Sequence, residues 1–185
     1  MLLYRQFLPN SPTLANFGKN QGCGSACFVL PIEDSRESIF ETLKHAVDVQ
    51  AFGGGTGFNF SKIRPKGEKI SSTGGKAAGP IDFIEVYNSG IGRTIKQGGS
   101  RPGANMAILS DIEQFIFCKK EEGRLSNFNI SVALNDEFMR AVKAGTNYDL
   151  VWEGKVYGTL PASKVWGWIV GGSWSNGEPG VVFLD

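Results

Sequence analysis

The chain has 185 residues, 41% of them hydrophobic, and a formal net charge of +1. That length suits one domain with a sizeable core, and the balance of 19 Lys+Arg against 18 Asp+Glu argues against a nucleic-acid or membrane-surface partner. No apolar run is long enough to span a bilayer, and the opening MLLYRQFLPN is too short and too polar for a signal peptide, so the expected location is the cytoplasm.

Residues 1–22, with the two prolines of PNSPT, read as loop and extended chain. SACFVLPI is a short apolar run that fits a buried strand. Asp34 or Ser35 caps a helix over RESIFETLKHAVDVQAF, in which Ile39, Leu43, Ala46, Val47 and Val49 form an apolar face, and Gly53 stops it. TGFNFSKI reads as a strand. A loop of about 15 residues then leads to Pro80, which sits in the first turn of the helix PIDFIEVYNSGIGRTIKQ. ANMAIL is a strand, DIEQFIFCKK a short helix, NFNISVAL a strand, and NDEFMRAVKAG a helix capped by Asn135. YDLVWEGKVYG reads as a hairpin, ASKVWGWIVGGSW as a helix and GVVFLD as a strand. Strands that alternate with helices predict an α/β fold with a largely parallel sheet.

Two counts stand out, 25 glycines and one histidine. A single histidine argues against a zinc-type site, and Cys23 and Cys27, in CGSAC, do not form a CxxC pair, so neither they nor Cys118 predicts a metal. The glycines gather in three loops, GGGTG at 53–57, STGGKAAG at 72–79 and GGSRPGAN at 98–105. None fits a dinucleotide fingerprint or a P-loop: GGGTGF lacks the Lys-Ser/Thr ending and precedes a strand. In parallel sheets ligands gather at the carboxyl ends of strands, and glycine lets backbone approach a ligand. Three such loops beside Ser, Thr, Asn, Gln and Arg predict a nucleotide or phosphate site.

The series FLPNSPTLANFG, SACFVLPIEDSRESIFETL, GGGTGFNFSKIRPKG, STGGKAAGP, KQGGSRPGANMAIL, NFNISVALNDEFM and GEPGVVFLD resembles the large catalytic chain of ribonucleotide reductase, and is most similar to the adenosylcobalamin-dependent class. The resemblance implies a ten-stranded α/β barrel built from two five-stranded halves. Residues 1–185 would be a single partial domain, the first half-barrel, with a parallel five-stranded half-sheet and helices. It implies an enzyme, a ribonucleoside-diphosphate reductase that supplies deoxyribonucleotides for DNA replication. The substrate is a ribonucleotide, the cofactor adenosylcobalamin, and the reductant of the thioredoxin type. A deoxynucleoside triphosphate acts as allosteric effector.

Residue by residue, the resemblance makes Cys27 a reducing cysteine, one of two that give electrons and become a disulfide. Ser11 and Thr13 would hold substrate phosphates, with the backbone at Ala26 beside them, and Gly54 and Gly55 would leave room for the substrate. Asp34 and Ser35 would meet the effector's sugar and Arg64 its phosphates, since a guanidinium donates two hydrogen bonds in one plane. Residues 67–79 and 97–105 would be two specificity loops, with Gln97 and Arg101 of the second reaching the substrate base. Cys23 has no counterpart. The helices at 35–51 and 80–97 would pair across a two-fold axis, giving a homodimer.

The sequence also departs from the family pattern. It contains no Asn-x-Cys-x-Glu, the pattern of the loop that carries the radical cysteine, and it stops at Asp185, before that loop and the second half-barrel would follow. Pro102 stands where cobalamin-dependent members carry a second arginine, and the loop at Ser110 is short. Two readings stay open here. One is half of a reductase barrel, inactive without its second half. The other is a non-catalytic nucleotide-binding module or a truncated gene product.

Overall fold

The computed structural model describes residues 3–4, 6–19, 24–94, 102–121 and 123–184. Cys23, Gln97 and Arg101, singled out above, lie outside the described residues. The first element corrects the sequence reading: a short helix, α1 (Ser11–Asn16), stands where loop was expected. Asn10 caps it by accepting from the Thr13 N–H at 3.0 Å, and Pro12 falls in the first turn, where no amide donor is needed.

The remaining elements follow in order: β1 (Cys27–Leu30), α2 (Arg36–Ala51), β2 (Gly55–Asn59), α3 (Pro80–Thr94), β3 (Gly103–Ala107), α4 (Ile112–Phe117), β4 (Asn129–Leu134), α5 (Asp136–Ala144), β5 (Asn147–Trp152), β6 (Lys155–Pro161), α6 (Ala162–Asn176) and β7 (Gly180–Phe183). β2 is shorter than its sequence predicts. The Asn59 side chain accepts from the Ser61 N–H and turns the chain into a 3-10 turn, Phe60–Lys62. Ser35 and Asn135 are the caps of α2 and α5, and β5 and β6 form the expected hairpin as a separate two-stranded antiparallel sheet.

The main sheet has five strands in the order β1-β2-β3-β4-β7, and every pairing is parallel. Each parallel pairing needs a crossover, and right-handed crossovers taken in one direction put every helix on one face. The burial pattern agrees. Phe58, Ala104, Met106, Ile130, Val132 and Leu134 are buried, whereas Cys27, Val29, Asn59 and Asn129 on the other face are exposed. A parallel sheet covered on one face only is what a section of an α/β barrel looks like, with the uncovered face turned inward.

The core fills the space between the covered face and the helices. Tyr87 of α3 stands edge-on to Phe58, ring centroids 5.0 Å apart, and to Phe60 at 5.5 Å, and its hydroxyl donates to the Ile39 carbonyl of α2. α2 faces inward with Ile39, Thr42, Ala46 and Gln50 rather than with the all-apolar set read from sequence; Leu43 and Val47 pack at the margin. Thr42 and Gln50 can be buried because each is paired: the Thr42 hydroxyl donates to the Pro31 carbonyl at 2.8 Å, and the Gln50 amide to the Thr56 hydroxyl at 2.7 Å.

The first glycine loop lies at the opposite end of its strand from that expected, whereas the 72–79 loop follows the carboxyl end of β2, as expected. Gly53 and Gly54 lead into the amino end of β2, and the 72–79 loop into α3.

Candidate functional site

At the amino end of β1 the expected substrate residues come together through the backbone. The Thr13 hydroxyl lies 2.6 Å from the Gly24 carbonyl, which ties α1 to the segment entering β1. The Gly55 N–H donates to the Ala26 carbonyl at 2.7 Å, and Cys27 is the register partner of Gly55. Ser11 is exposed, Thr13 and Ala26 are half-buried, and Cys27 is an exposed free thiol. Cys118, by contrast, is 1% exposed, and burial pushes its thiol up to about 12. An exposed sulfur can exchange with a partner thiol; a buried neutral one cannot.

Gly54 has a packing reason to be glycine. A Cβ there would fall 2.8 Å from Val49 Cγ1 and 3.1 Å from the Phe28 ring. The tight joint between α2 and β2 thus requires glycine at this position.

Asp34, Ser35 and Arg64 also meet, in a second place. The Arg64 Nε donates to Asp34 Oδ2 at 2.7 Å, the Arg64 backbone N–H donates to Oδ1 at 3.2 Å, and Nη2 reaches the Asp34 carbonyl at 3.5 Å. The pair is half-buried, with side-chain exposures of 27% and 20%. Ser35 is exposed and accepts from the Ser38 N–H at 3.1 Å as the cap of α2. A cavity of about 350 Å³ opens beside the three, with Ile70, Ser72, Ala77 and Ala78 also in its wall. The amino end of the 16-residue α2 points its free N–H groups into this region, which favours an anion.

Arg36 and Glu37, in the first turn of α2, also line the cavity, and nearby Lys62 pairs with Glu33 at 2.5 Å and Lys66 with Asp82 at 4.0 Å. Sequence reasoning missed Glu68, which accepts from Lys155 Nζ at 2.9 Å and from the Tyr157 hydroxyl. Those hydrogen bonds, Tyr157's first, hold the Glu68 carboxyl at about 2 instead of 4.5. No local signal joins residues 87 and 89 positions apart. Asn10 was also missed, although Asn-x-x-Thr around a proline is a readable helix start.

A larger cavity of about 940 Å³ lies at the carboxyl ends of β2, β3 and β4, beneath α5 and β5, with Asn59, Ser61, Asn135, Tyr148 and Asp149 in its wall. None of the substrate or effector residues expected from sequence lines it. Among the described residues no helix is long and apolar enough to cross a membrane.

Comparison with known proteins fits this geometry. Residues 25–185 match the family model described as ribonucleotide reductase, barrel domain. The chain is 46% identical over 187 residues to the vitamin B12-dependent ribonucleoside-diphosphate reductase of Mycobacterium tuberculosis, covering 97% of this chain and 27% of that protein. It is 46% identical over 186 residues to the protein of the same name from Thermoplasma acidophilum, covering 97% and 24%. It is 36% identical over 177 residues to the ribonucleoside-diphosphate reductase large subunit of vaccinia virus, covering 90% and 22%. The chain thus spans about a quarter of the length of the curated relatives it matches. The fold is that of the class Id ribonucleotide reductase alpha subunit of Actinobacillus ureae, with a TM-score of 0.76 at 24% identity over 94% of this chain and 30% of that one. With the parallel five-stranded sheet and its helices already in place, these matches assign the chain to the ribonucleotide reductase barrel-domain family.

Proposed function

We propose that this chain is the first half-barrel of an enzyme that reduces ribonucleoside diphosphates to deoxyribonucleotides, and that it carries the effector site. In that reaction the ribose 2′-hydroxyl leaves as water and two thiols supply two electrons and form a disulfide. Cys27 is one of those thiols in this reading; the second, and the radical cysteine, are not among Cys23 and Cys118. Ser11, Thr13 and the Ala26 backbone face the substrate phosphates, and Gly55 lies beside the ribose. Gln97 and Arg101 reach the base. The observation that carries the reading is the hydrogen bonding of the Thr13 hydroxyl to the Gly24 carbonyl and of the Gly55 N–H to the Ala26 carbonyl, which gathers these residues around an exposed Cys27.

The 350 Å³ cavity beside Asp34, Ser35 and Arg64 is the proposed effector site. Arg64 serves the phosphates, Asp34 and Ser35 the sugar. Because this cavity is built wholly from residues 34–83, a nucleotide-binding module without chemistry of its own stays as the second reading. The functional assembly in the first reading is a homodimer through α2 and α3, joined by a second half-barrel and served by a dithiol protein reductant.

The names of the bacterial and archaeal relatives point to adenosylcobalamin. The effector cavity does not fit it. That cavity is small and charged, and the chain's one histidine, His45, is exposed on α2. No step is assigned to that group here. Titration calorimetry with four deoxynucleoside triphosphates tests the proposal, with binding below millimolar expected for at least one. Turnover with adenosylcobalamin and dithiol separates the readings: the 185 residues alone should form no deoxynucleotide. A folded chain that binds no triphosphate overturns the effector assignment.

A further inference from the structure

The wall of the effector cavity formed by Ile70, Ser72, Ala77 and Ala78 belongs to the loop 66–79, whose tip at 71–76 is exposed. The loop is closed on itself. The Gly67 N–H donates to the Ala77 carbonyl at 2.9 Å, the Ala77 N–H to the Glu68 carbonyl at 2.8 Å, and the Gly74 N–H to the Ile70 carbonyl at 2.8 Å. Gly79 presses so closely on Lys66 that an added Cβ would lie 2.8 Å from the Lys66 Cβ. A loop tied in this way moves as one piece about its ends.

Where that piece stands depends on what holds it from outside. At its base the Lys66 N–H donates to Asp111 Oδ2 at 3.2 Å. Further along, the Glu68 carboxylate accepts from Tyr157 and Lys155, both on β6. The Lys155 ammonium also sits 4.6 Å from the Tyr157 ring centroid, which fixes the two donors relative to each other. The Trp152 indole N–H donates to the Lys62 carbonyl at 3.2 Å, so the same hairpin grips the chain just ahead of the loop. The hairpin is anchored independently: Leu150 is 6% exposed, and the Ala162 N–H at the start of α6 donates to the Thr146 carbonyl at 3.1 Å.

We propose that Tyr157 and Lys155 are positioning residues for the nucleotide site: acting through the Glu68 carboxylate, they latch the loop 66–79 in place and so set the cavity wall it shares with Asp34 and Arg64. The proposal rests on the reading of that cavity as a triphosphate site. A nucleotide gains the contacts of the wall without ordering it only while the latch is closed; with the latch open, binding must also supply the entropy of fixing the loop. The hairpin touches the larger cavity too, through Tyr148, Asp149 and Val151. It is therefore the element that connects the effector loop to the carboxyl ends of the strands.

Two variants of the full chain test this. Tyr157→Phe keeps the ring and deletes the hydroxyl; Glu68→Gln keeps an acceptor and deletes the charge that holds Lys155. Hydrogen–deuterium exchange at the Ile70, Gly74 and Ala77 amides reads the latch with no nucleotide present. Titration with four deoxynucleoside triphosphates reads the site. Exchange in the loop should quicken roughly tenfold and triphosphate affinity should fall roughly fivefold, as loss of one charge-assisted hydrogen bond implies. Exchange at the β4 amides should not change. The double variant should be worse than either single one, because each single variant leaves Glu68 one of its two partners. Unchanged loop exchange in both variants overturns the latch. A loosened loop with wild-type affinity overturns its role in the site. If the unaltered chain binds no triphosphate, the cavity reading fails and takes the role with it, while the exchange data still decide whether the latch exists.

Discussion

Replacing Arg64 by alanine should weaken triphosphate binding far more than replacing Asp34, although the two residues form one ion pair. Arg64 spends its Nε, Nη2 and backbone N–H on Asp34, at 2.7, 3.5 and 3.2 Å. Arg64→Ala removes a charge-assisted donor, a loss of about 1.5–3 kcal/mol. It also leaves the Asp34 carboxylate without its counter-charge, beside the place where phosphates would sit. At an effective dielectric between those of protein surface and water, that repulsion adds roughly 1 kcal/mol. The sum, roughly 2.5–4 kcal/mol, weakens binding about 70-fold or more. Asp34→Ala acts in two opposed directions: it loses a sugar contact worth about 1 kcal/mol and frees the Arg64 guanidinium for phosphate. Its net effect should stay within about fivefold. Titration calorimetry at fixed salt measures both, and thermal melts confirm that each variant is folded. Equal losses, or a larger loss in Asp34→Ala, would refute the assignment of Arg64 to the phosphates.

Cys27 should alkylate readily in the folded protein while Cys118 reacts only on unfolding, as peptide mass spectrometry would read; early labelling of Cys118 would contradict its burial. Gly79→Ala should destabilise the fold by roughly 2–3 kcal/mol, because φ is +93° and the new Cβ meets Lys66 backbone at 3.1 Å. Gly18→Ala, at φ +81° with nothing within 4 Å, should cost only about 1 kcal/mol, and equal shifts in melting temperature would be the contrary result. The Glu68 carboxyl titrates at about 2 in the folded chain against 4.5. Because that value is lowered, its stabilising contribution is complete above about 4.5 and is lost as pH falls from there through about 2. Melts of Glu68→Gln should lack that part of the acid dependence, and identical acid profiles would exclude Glu68 as its source.

Most elements were legible because local chemistry and burial agree. Ser35 and Asn135 each precede a helix and each cap it. In β3 and β4, Ala104, Met106, Ile130 and Val132 alternate with residues on the open face. The misreadings arose where a side chain took over a backbone role. Asn10 turns a proline-bearing stretch into α1, and Asn59 ends β2 by capping the turn that follows. On α2 a count of apolar residues pointed to Val49, whereas the inward positions include Thr42 and Gln50. Their partners, Pro31 and Thr56, sit on neighbouring segments that no helical period reveals.

The three glycine loops share a composition but not a cause. Gly53 lets the chain leave α2 at φ +84°, and Gly54 has no room for a Cβ against Val49 and Phe28, so the first loop is glycine-rich because a helix meets a strand there in a tight joint. Gly79 is required by the close approach of the two stems of the 66–79 loop, which is a demand of the loop's own closure. Gly103 differs from both. It pairs with Gly57 on one side and Asn129 on the other, on the uncovered face of the sheet, and a Cβ there would meet nothing within 4 Å among the described residues. The first two loops are therefore fixed by folding, whatever the chain binds. At the third, the described neighbours leave room for a side chain, so packing among them does not require glycine at Gly103. Composition could flag all three loops as places of close approach; only the packing separates approach of backbone to backbone from room left open on the inner face.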